Sequence, residues 1–306
     1  MFLHKPVMPA ETLSYLAVAP GQVYIDCTTG EGGHSELILK QARIGRLICI
    51  EQDDEILQKA KERLRSFGNV IFIHDNFQNL RQIAERLKLE QVHGILFDLG
   101  LSVFHYKKSD KGFSFERDSG LDMRLNEKLR TRASDIVNRY HEQDLIKLIW
   151  AYGEERWTKP IVHRICEYRK QKKIETTVEL KELIERAVPR KFWKRWIHPA
   201  TQTFQALRIA VNNELYNLEK VLDDGISLLA PGGRMVVISY HSLEDRIVKN
   251  KFRLYSRGID EKGQEHPEIR ERVRLLTKKP VIAGPKESGE NPSSRSGKLR
   301  AVEKAG

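Results

Sequence analysis

The chain has 306 residues, 40% of them hydrophobic and 31% charged, with 53 Lys and Arg against 42 Asp and Glu, a net charge of +11. That composition excludes a disordered or fibrous chain. No apolar run approaches the roughly 20 residues that span a bilayer, and the N-terminal MFLHKPVMPAETL lacks the apolar stretch of a secretory signal. Three scattered cysteines (Cys27, Cys49, Cys166) with no CxxC or HxxxH pair argue against a disulfide framework and a structural metal. A cytoplasmic protein with no metal is therefore expected.

In chain order, Tyr24–Thr28 reads as a buried strand, followed by a Gly-rich turn and a helix over His34–Arg43. Arg46–Glu51 is a second strand with a helix over Asp53–Phe67, and Val70–His74 a third with a helix over Phe77–Leu87. Gly94–Leu101 is a fourth strand. Short apolar strands alternating with amphipathic helices predict a parallel sheet covered on both faces.

The alternation stops at about Tyr106 and gives way to polar helical sequence up to Pro199, with Thr177 read as an N-cap. Residues 107–212 hold 24 Lys and Arg against 15 Asp and Glu, a net of +9. Such clustering fits either a polyanion binder or a solvated helical surface. One long helix is expected from about Thr201 to Leu229, with Phe204, Leu207, Val211, Leu215, Leu218, Leu222 and Ile226 on its apolar face. Ala230-Pro231-Gly232-Gly233 reads as a stop and turn before the strand Arg234–Ser239. Arg274–Leu276 and Lys298–Val302 are weaker strands, with a mobile loop expected over Ala283–Gly297. The resulting division has residues 1–106 and 213–306 as one discontinuous domain and 107–212 as a basic helical insertion after strand four.

The chemistry gathers at the strand ends. Asp26-Cys27-Thr28-Thr29-Gly30-Glu31-Gly32-Gly33-His34 lets backbone approach a ligand at a helix N-terminus. Glu51 closes the second strand, where an acidic residue accepts hydrogen bonds from ribose hydroxyls. The GEGGH loop does not fit the GxGxxG of a dinucleotide dehydrogenase. Asp26 suits an ammonium group to be paired, and Leu229-Ala230-Pro231-Gly232-Gly233-Arg234 is a methyltransferase-type turn into a strand. These features favour S-adenosylmethionine over NAD. A non-catalytic RNA-binding scaffold is a second rival, against which the intact loop, Glu51 and Asp98 argue.

HKPVMPAE (4–11), YIDCTTGEGGHS (24–35), GILFDLGLS (94–102), KGFSFERDSGLDMRL (111–125), YGEERW (152–157), HPATQTFQALRIAVNNEL (198–215), LAPGGRMVVISYHSLEDRIVK (229–249) and NPSSRSGKLRAVE (291–303) span nearly the whole chain. In these segments the chain closely resembles the bacterial 16S ribosomal RNA cytidine N4-methyltransferases. The resemblance implies a class I methyltransferase (Rossmann-like) doubly wound α/β sheet with a helical insertion. It implies methylation of a P-site cytidine of the small ribosomal subunit, and makes a homodimer reasonable. The family's cofactor contacts carry over to Gly32, Gly33, His34, Glu51, Phe77 and Asp98, and to His105. Glu51 replaces the commoner Asp, His105 the commoner Gln, and Val103-Phe104 a Ser-Pro pair.

The amine at N4 of cytosine is a poor nucleophile because its lone pair is delocalised into the ring. An acceptor for the amine hydrogens helps to localise that pair, and Asp98, at the mouth of strand four, is the candidate catalytic residue. The (N/D/S)PP(Y/F/W) tetrapeptide of other amino-methylating enzymes is absent. Cys27 reads as a packing residue, and His34 as either a helix cap or a cofactor contact. Ser242 with Asp245 resembles a capping box; Tyr240 and His241 are either wall residues of a cytosine pocket or structural. Arg124 and Arg208 either meet RNA phosphate or hold the insertion together. Arg169–Lys173 and Arg190–Trp196 combine basic residues with aromatics. Their charges are assigned to RNA, and Trp193 and Trp196 to packing.

Overall fold

Buried parallel strands need an apolar side chain on both faces, and the four short runs of the first hundred residues supply it. The computed structural model describes residues 5–194, 197–269 and 272–306. The chain divides into two compact units, Met1–Ser102 with Leu215–Gly306, and Val103–Glu214.

The first unit runs α1 (Pro9–Leu16), β1 (Val23–Asp26), α2 (Gly33–Gln41), β2 (Arg46–Glu51), α3 (Asp54–Arg63), β3 (Val70–His74), α4 (Leu80–Arg86) and β4 (Val92–Asp98). The second contains α5 (Val103–Lys107), α6 (Ala133–Arg139), α7 (Glu142–Gly153), α8 (Thr158–Arg169), α9 (Thr177–Ala187) and α10 (Ala200–Asn212). Then α11 (Glu214–Leu228) leads back to β5 (Leu229–Ser239), α12 (Ser242–Arg257), β6 (Val273–Leu275), β7 (Val281–Ile282), α13 (Pro285–Glu290) and β8 (Lys298–Lys304).

The sheet order is β3-β2-β1-β4-β5-β8-β6, with β7 also paired to β8. The first five strands are parallel, and β8 runs antiparallel to β5, β6 and β7. Alternate side chains feed two cores. Ile25, Ile48, Ile95, Phe97, Met235 and Val237 pack with Leu80, Leu218, Leu222, Val248 and Phe252 on one face. Tyr24, Leu47, Cys49, Leu96, Val236 and Ile238 pack with Leu16, Ile38, Leu39 and Leu299 on the other. This is a doubly wound sheet, and its order reverses between β1 and β4, where open α/β folds bind ligands.

Several expectations are corrected. The single helix over 201–229 is two, because Asn213 takes the left-handed conformation (φ 51°) between α10 and α11. Arg208 then grips Glu214 with Nε at 2.9 Å and Nη2 at 2.8 Å, while Asn212 donates to Met123 O and accepts from Leu125 N–H. A continuous helix would turn Glu214 away from Arg208, six residues earlier. The stretch Ala230–Gly233 lies within β5 as a bulge: Leu229 pairs with Val92 and Arg234 with Gly94. The helix expected over Phe77–Leu87 opens with a 3-10 turn, Phe77–Asn79.

The loop expected to be mobile over Ala283–Gly297 contains α13 and a 3-10 turn, Pro292–Ser296, with Asn291 and Ser294 buried. Asn291 Nδ2 donates to the carbonyls of Lys5 and Pro6, and Glu287 accepts from Met8 N–H at 2.6 Å. The Gly, Pro and Ser of this stretch serve as turn and cap residues, with Pro285 opening α13.

Two caps shift by one residue. Thr176, not Thr177, caps α9 in a box with Glu179, while Thr177 donates to Arg117 O. His241, not Ser242, caps α12, in a box with Glu244. Arg124 forks onto Asp122 at 2.6 and 2.8 Å and donates to Glu127 O and Leu129 O, so its role is internal. Trp193 is half-buried with its indole N–H on Val188 O, whereas Arg195 and Trp196 lie outside the described residues. Among the described residues, no helix is long and apolar enough to cross a membrane.

Candidate active site

The carboxyl ends of the parallel strands carry acidic residues at one edge of the sheet: Asp26 on β1, Glu51 on β2, Asp75 just after β3 and Asp98 on β4. Between β1 and α2 the backbone turns through Gly30 and Gly32, both at positive φ. Gly32 sits at φ 81°, where a Cβ would be strained and in contact with Leu64. Gly33 then opens α2, whose first turn offers unpaired N–H donors to a ligand.

Asp26 does not face that crevice. Its side chain lies under the loop, accepting from Ser35 Oγ at 2.6 Å and Thr28 N–H at 3.2 Å, with the residue 1% exposed. The pairing of Asp26 with a cofactor ammonium is therefore corrected: the carboxylate is buried and fastens the loop to α2. Burial raises its carboxyl pKa above the ordinary aspartate value, opposed by the Ser35 hydrogen bond. The neighbouring thiols are inert, Cys27 pushed well up and Cys49 up to about 12 by the same burial. Cys27 is a packing residue.

Glu51 is aimed by three backbone donors. Gly30 N–H reaches one oxygen at 2.9 Å, and Gln52 and Asp53 N–H reach the other at 2.8 and 3.0 Å. The end of β2 is thereby tied to the glycine loop of β1. Phe77 stands half-buried past β3, edge-on to Phe97 with centroids 5.8 Å apart. Asp75 accepts from the side chain of Asn79 at 2.8 Å, and the sequence reading missed it. The strand-end rule that singled out Glu51 applies equally to Asp75.

Asp98 is the most constrained of the set. Tyr240, just after β5, donates its hydroxyl to Oδ1 at 2.6 Å. His34 Nε2 of α2 lies 3.5 Å from Oδ2, both side chains being largely buried. The Asp98 N–H donates to Thr28 Oγ1 at 2.6 Å. Gly100, at φ 99°, makes room for the Tyr240 ring, which a Cβ there would meet at 3.1 Å. Burial, then the charge of Asp98, raises the Tyr240 phenol well above its usual value, so it remains a donor. His34, Asp98 and Tyr240 thus meet from three separate elements. His105 lies in the second unit, its buried ring edge-on to Phe113 at 5.2 Å and Phe104 at 6.3 Å.

The sequence profile of the MraW methylase family matches residues 1–305. This chain belongs to the MraW methylase family. A relative from Geobacter sulfurreducens named ribosomal RNA small subunit methyltransferase H is 46% identical over 309 residues, 99% of each chain. Relatives of the same name from Sulfurihydrogenibium sp. and Finegoldia magna are 45% identical over 301 residues (98% of each chain) and 41% identical over 312 (99% of each).

As an MraW methylase, the protein draws its methyl group from S-adenosylmethionine, and the residues at the strand ends fit that cofactor. Carboxylates at Glu51, Asp75 and Asp98 match a ligand with ribose hydroxyls and positive charge, and would repel a pyrophosphate. The N–H groups of Gly30 and Gly32 are taken by Glu51 and Thr29 O, so the donors for such a ligand come from the N-terminus of α2, which Gly33 opens.

Proposed function

We propose that this MraW methylase transfers a methyl group to N4 of a P-site cytidine in the 16S RNA of the small ribosomal subunit, in the cytoplasm. The observation that carries the reading is the Asp98 carboxylate, 10% exposed, held by the Tyr240 hydroxyl beside His34 at the switch point of the sheet. Gly32, Gly33, His34, Glu51, Phe77, Asp98 and His105 hold the cofactor in this reading, and residues 107–212 recognise the RNA. When bound, the cofactor supplies a methyl group already activated by the positive sulfonium.

What the chain contributes is positioning and a proton acceptor. Asp98 accepts a hydrogen of the N4 amine, drawing its lone pair out of conjugation as the nitrogen becomes tetrahedral, and takes the proton that methylation releases. The Tyr240 hydroxyl fixes the carboxylate through its bond to Oδ1. In-line placement of amine and methyl supplies much of the remaining acceleration. The target base must leave its stack to reach the strand ends.

The test is methyl transfer from isotope-labelled S-adenosylmethionine to small subunits that lack native methylation, with naked 16S RNA alongside. Label recovered as N4-methylcytidine is expected. Label on another nucleoside would overturn the substrate while leaving the methylase intact. Asp98→Asn should lower kcat by about 10²–10⁴-fold, the ordinary worth of a positioned acid or base. Near-normal turnover at saturating cofactor would remove Asp98 from the mechanism.

A further inference from the structure

Some surface cations of the second unit are matched by carboxylates: Arg139 by Asp135, Lys170 by Glu167, Lys172 by Glu179 and Arg186 by Glu182. Another group gathers about aromatic rings instead. Phe192 is 43% exposed, and the Trp157 ring lies beside it with centroids 4.9 Å apart and planes inclined by 43°. The Arg156 guanidinium stands 6.0 Å from the centre of the Phe192 ring and the Lys191 ammonium 5.2 Å, while Arg190 stands 5.5 Å over the Trp193 ring. Among the described residues, Arg156, Arg190 and Lys191 form no ion pair.

This cluster joins two stretches far apart in sequence, Arg156-Trp157 and Arg190–Trp193. Trp193 is committed to packing, through Val188 O and an edge contact with His198 at 5.7 Å, so the aromatic left open is Phe192. Three like charges held close together without a counter-charge repel, and a chain of phosphates relieves that repulsion. A ring face at the same spot offers stacking to any base that is not already stacked. In duplex RNA the bases are inside, so only the charges would engage.

We propose that Phe192 is a stacking platform for an unpaired base of single-stranded RNA, with Arg156, Arg190 and Lys191 holding the flanking phosphates. The proposal deepens and rests on the RNA-methylation reading, since it names how the second unit grips that substrate. It predicts selectivity for single strands over duplex, centred on one phenyl ring.

The experiment uses the full-length protein with two labelled probes, a short pyrimidine single strand and a duplex RNA, read by fluorescence anisotropy over a range of salt. Phe192→Ala should weaken single-strand binding roughly fivefold to a hundredfold, the usual worth of one stacked base. Duplex binding should stay unchanged, and Phe192→Tyr should bind as the wild type does. Lys191→Gln should lower the salt slope on the single strand by about 0.7, one phosphate contact. Cofactor affinity and Tm, both unchanged, report that each variant is folded. Should Phe192→Ala misfold, Phe192→Tyr together with Lys191→Gln still decides the matter. Unaltered single-strand affinity in Phe192→Ala, an equal loss on both probes, or no single-strand binding by the wild type would overturn the platform. Label transfer to a nucleoside other than cytidine, with the selective loss intact, would overturn only the substrate reading.

Discussion

The hydroxyl of Tyr240 donates to Asp98 Oδ1 at 2.6 Å, a bond between residues 142 apart in sequence that fixes the carboxylate at the end of β4. The phenol stays protonated, because burial and the adjacent carboxylate both disfavour the phenolate. The phenol is therefore the donor in this bond and the carboxylate the acceptor.

Removing the hydroxyl should release the carboxylate without removing it. Tyr240→Phe is expected to lower kcat about tenfold, close to the worth of one hydrogen bond to a charged group, with the Kd for S-adenosylmethionine little changed. Combined with Asp98→Asn it should add almost nothing, since the two residues act as a unit. Steady-state kinetics on small subunits and cofactor calorimetry separate these outcomes. A wild-type kcat in Tyr240→Phe would rule out the positioning role.

Such a pairing leaves no periodicity in the sequence, which is why Tyr240 was legible only as either a wall residue or a structural one. The sheet was legible because RLICIE and VIFIH are continuous apolar runs that fit little besides a buried strand. The strand-end rule likewise located Glu51 and Asp98 at the carboxyl edge. The direction of Asp26 was not legible, because it depends on Ser35 and the Thr28 backbone folding over it. The break at Asn213 depends on Arg208 finding Glu214. The ordered stretch after Ala283 has the composition of a mobile loop and is ordered by its bonds to residues 5–8, almost the whole chain away.

That last contact has a consequence for the cofactor loop. Pro6 packs so close to Gly33 that a Cβ on the glycine would meet Pro6 Cγ at 3.1 Å. Asn291 holds the Pro6 backbone in place from the other side. Asn291→Ala should cost about 1–2 kcal/mol of stability and weaken cofactor binding several-fold, with kcat at saturation retained. Asn291→Asp should not rescue, because a carboxylate cannot donate to the Lys5 and Pro6 carbonyls. Urea unfolding and a cofactor titration check both; a normal Kd in Asn291→Ala would uncouple the clasp from the loop.

Arg124 sits in one of the most specific segments of the chain, yet its guanidinium is 14% exposed and spent on Asp122, Glu127 O and Leu129 O. Burial raises the pKa of Asp122, but the hydrogen bonds and charge of Arg124 outweigh it and hold the carboxyl below the ordinary aspartate value. Lysine keeps the charge and loses the fork. Arg124→Lys should therefore destabilise the fold by roughly 1.5–3 kcal/mol and leave the salt dependence of RNA binding as it is. A lowered salt slope at unchanged stability would mean that Arg124 meets phosphate after all.

Glu303 on β8 sets an acid limb. It accepts from Arg274 Nη2 at 2.7 Å and Arg234 Nε at 2.9 Å. The Arg274 hydrogen bond first, and then that of Arg234, hold its carboxyl below the ordinary 4.5. Between the folded and unfolded pKa values the unfolded chain carries the proton and the folded one does not, so stability rises with pH there. The contribution is complete above the unfolded value and is lost as pH falls through the folded one. Glu303→Gln should be less stable than wild type by roughly 1 kcal/mol at neutral pH, and the difference should vanish at the acid end. Urea midpoints from about pH 3 to about pH 7 would show the two curves converging on the acid side. Parallel curves over that range would mean that the two arginines contribute no charge-dependent stability through Glu303.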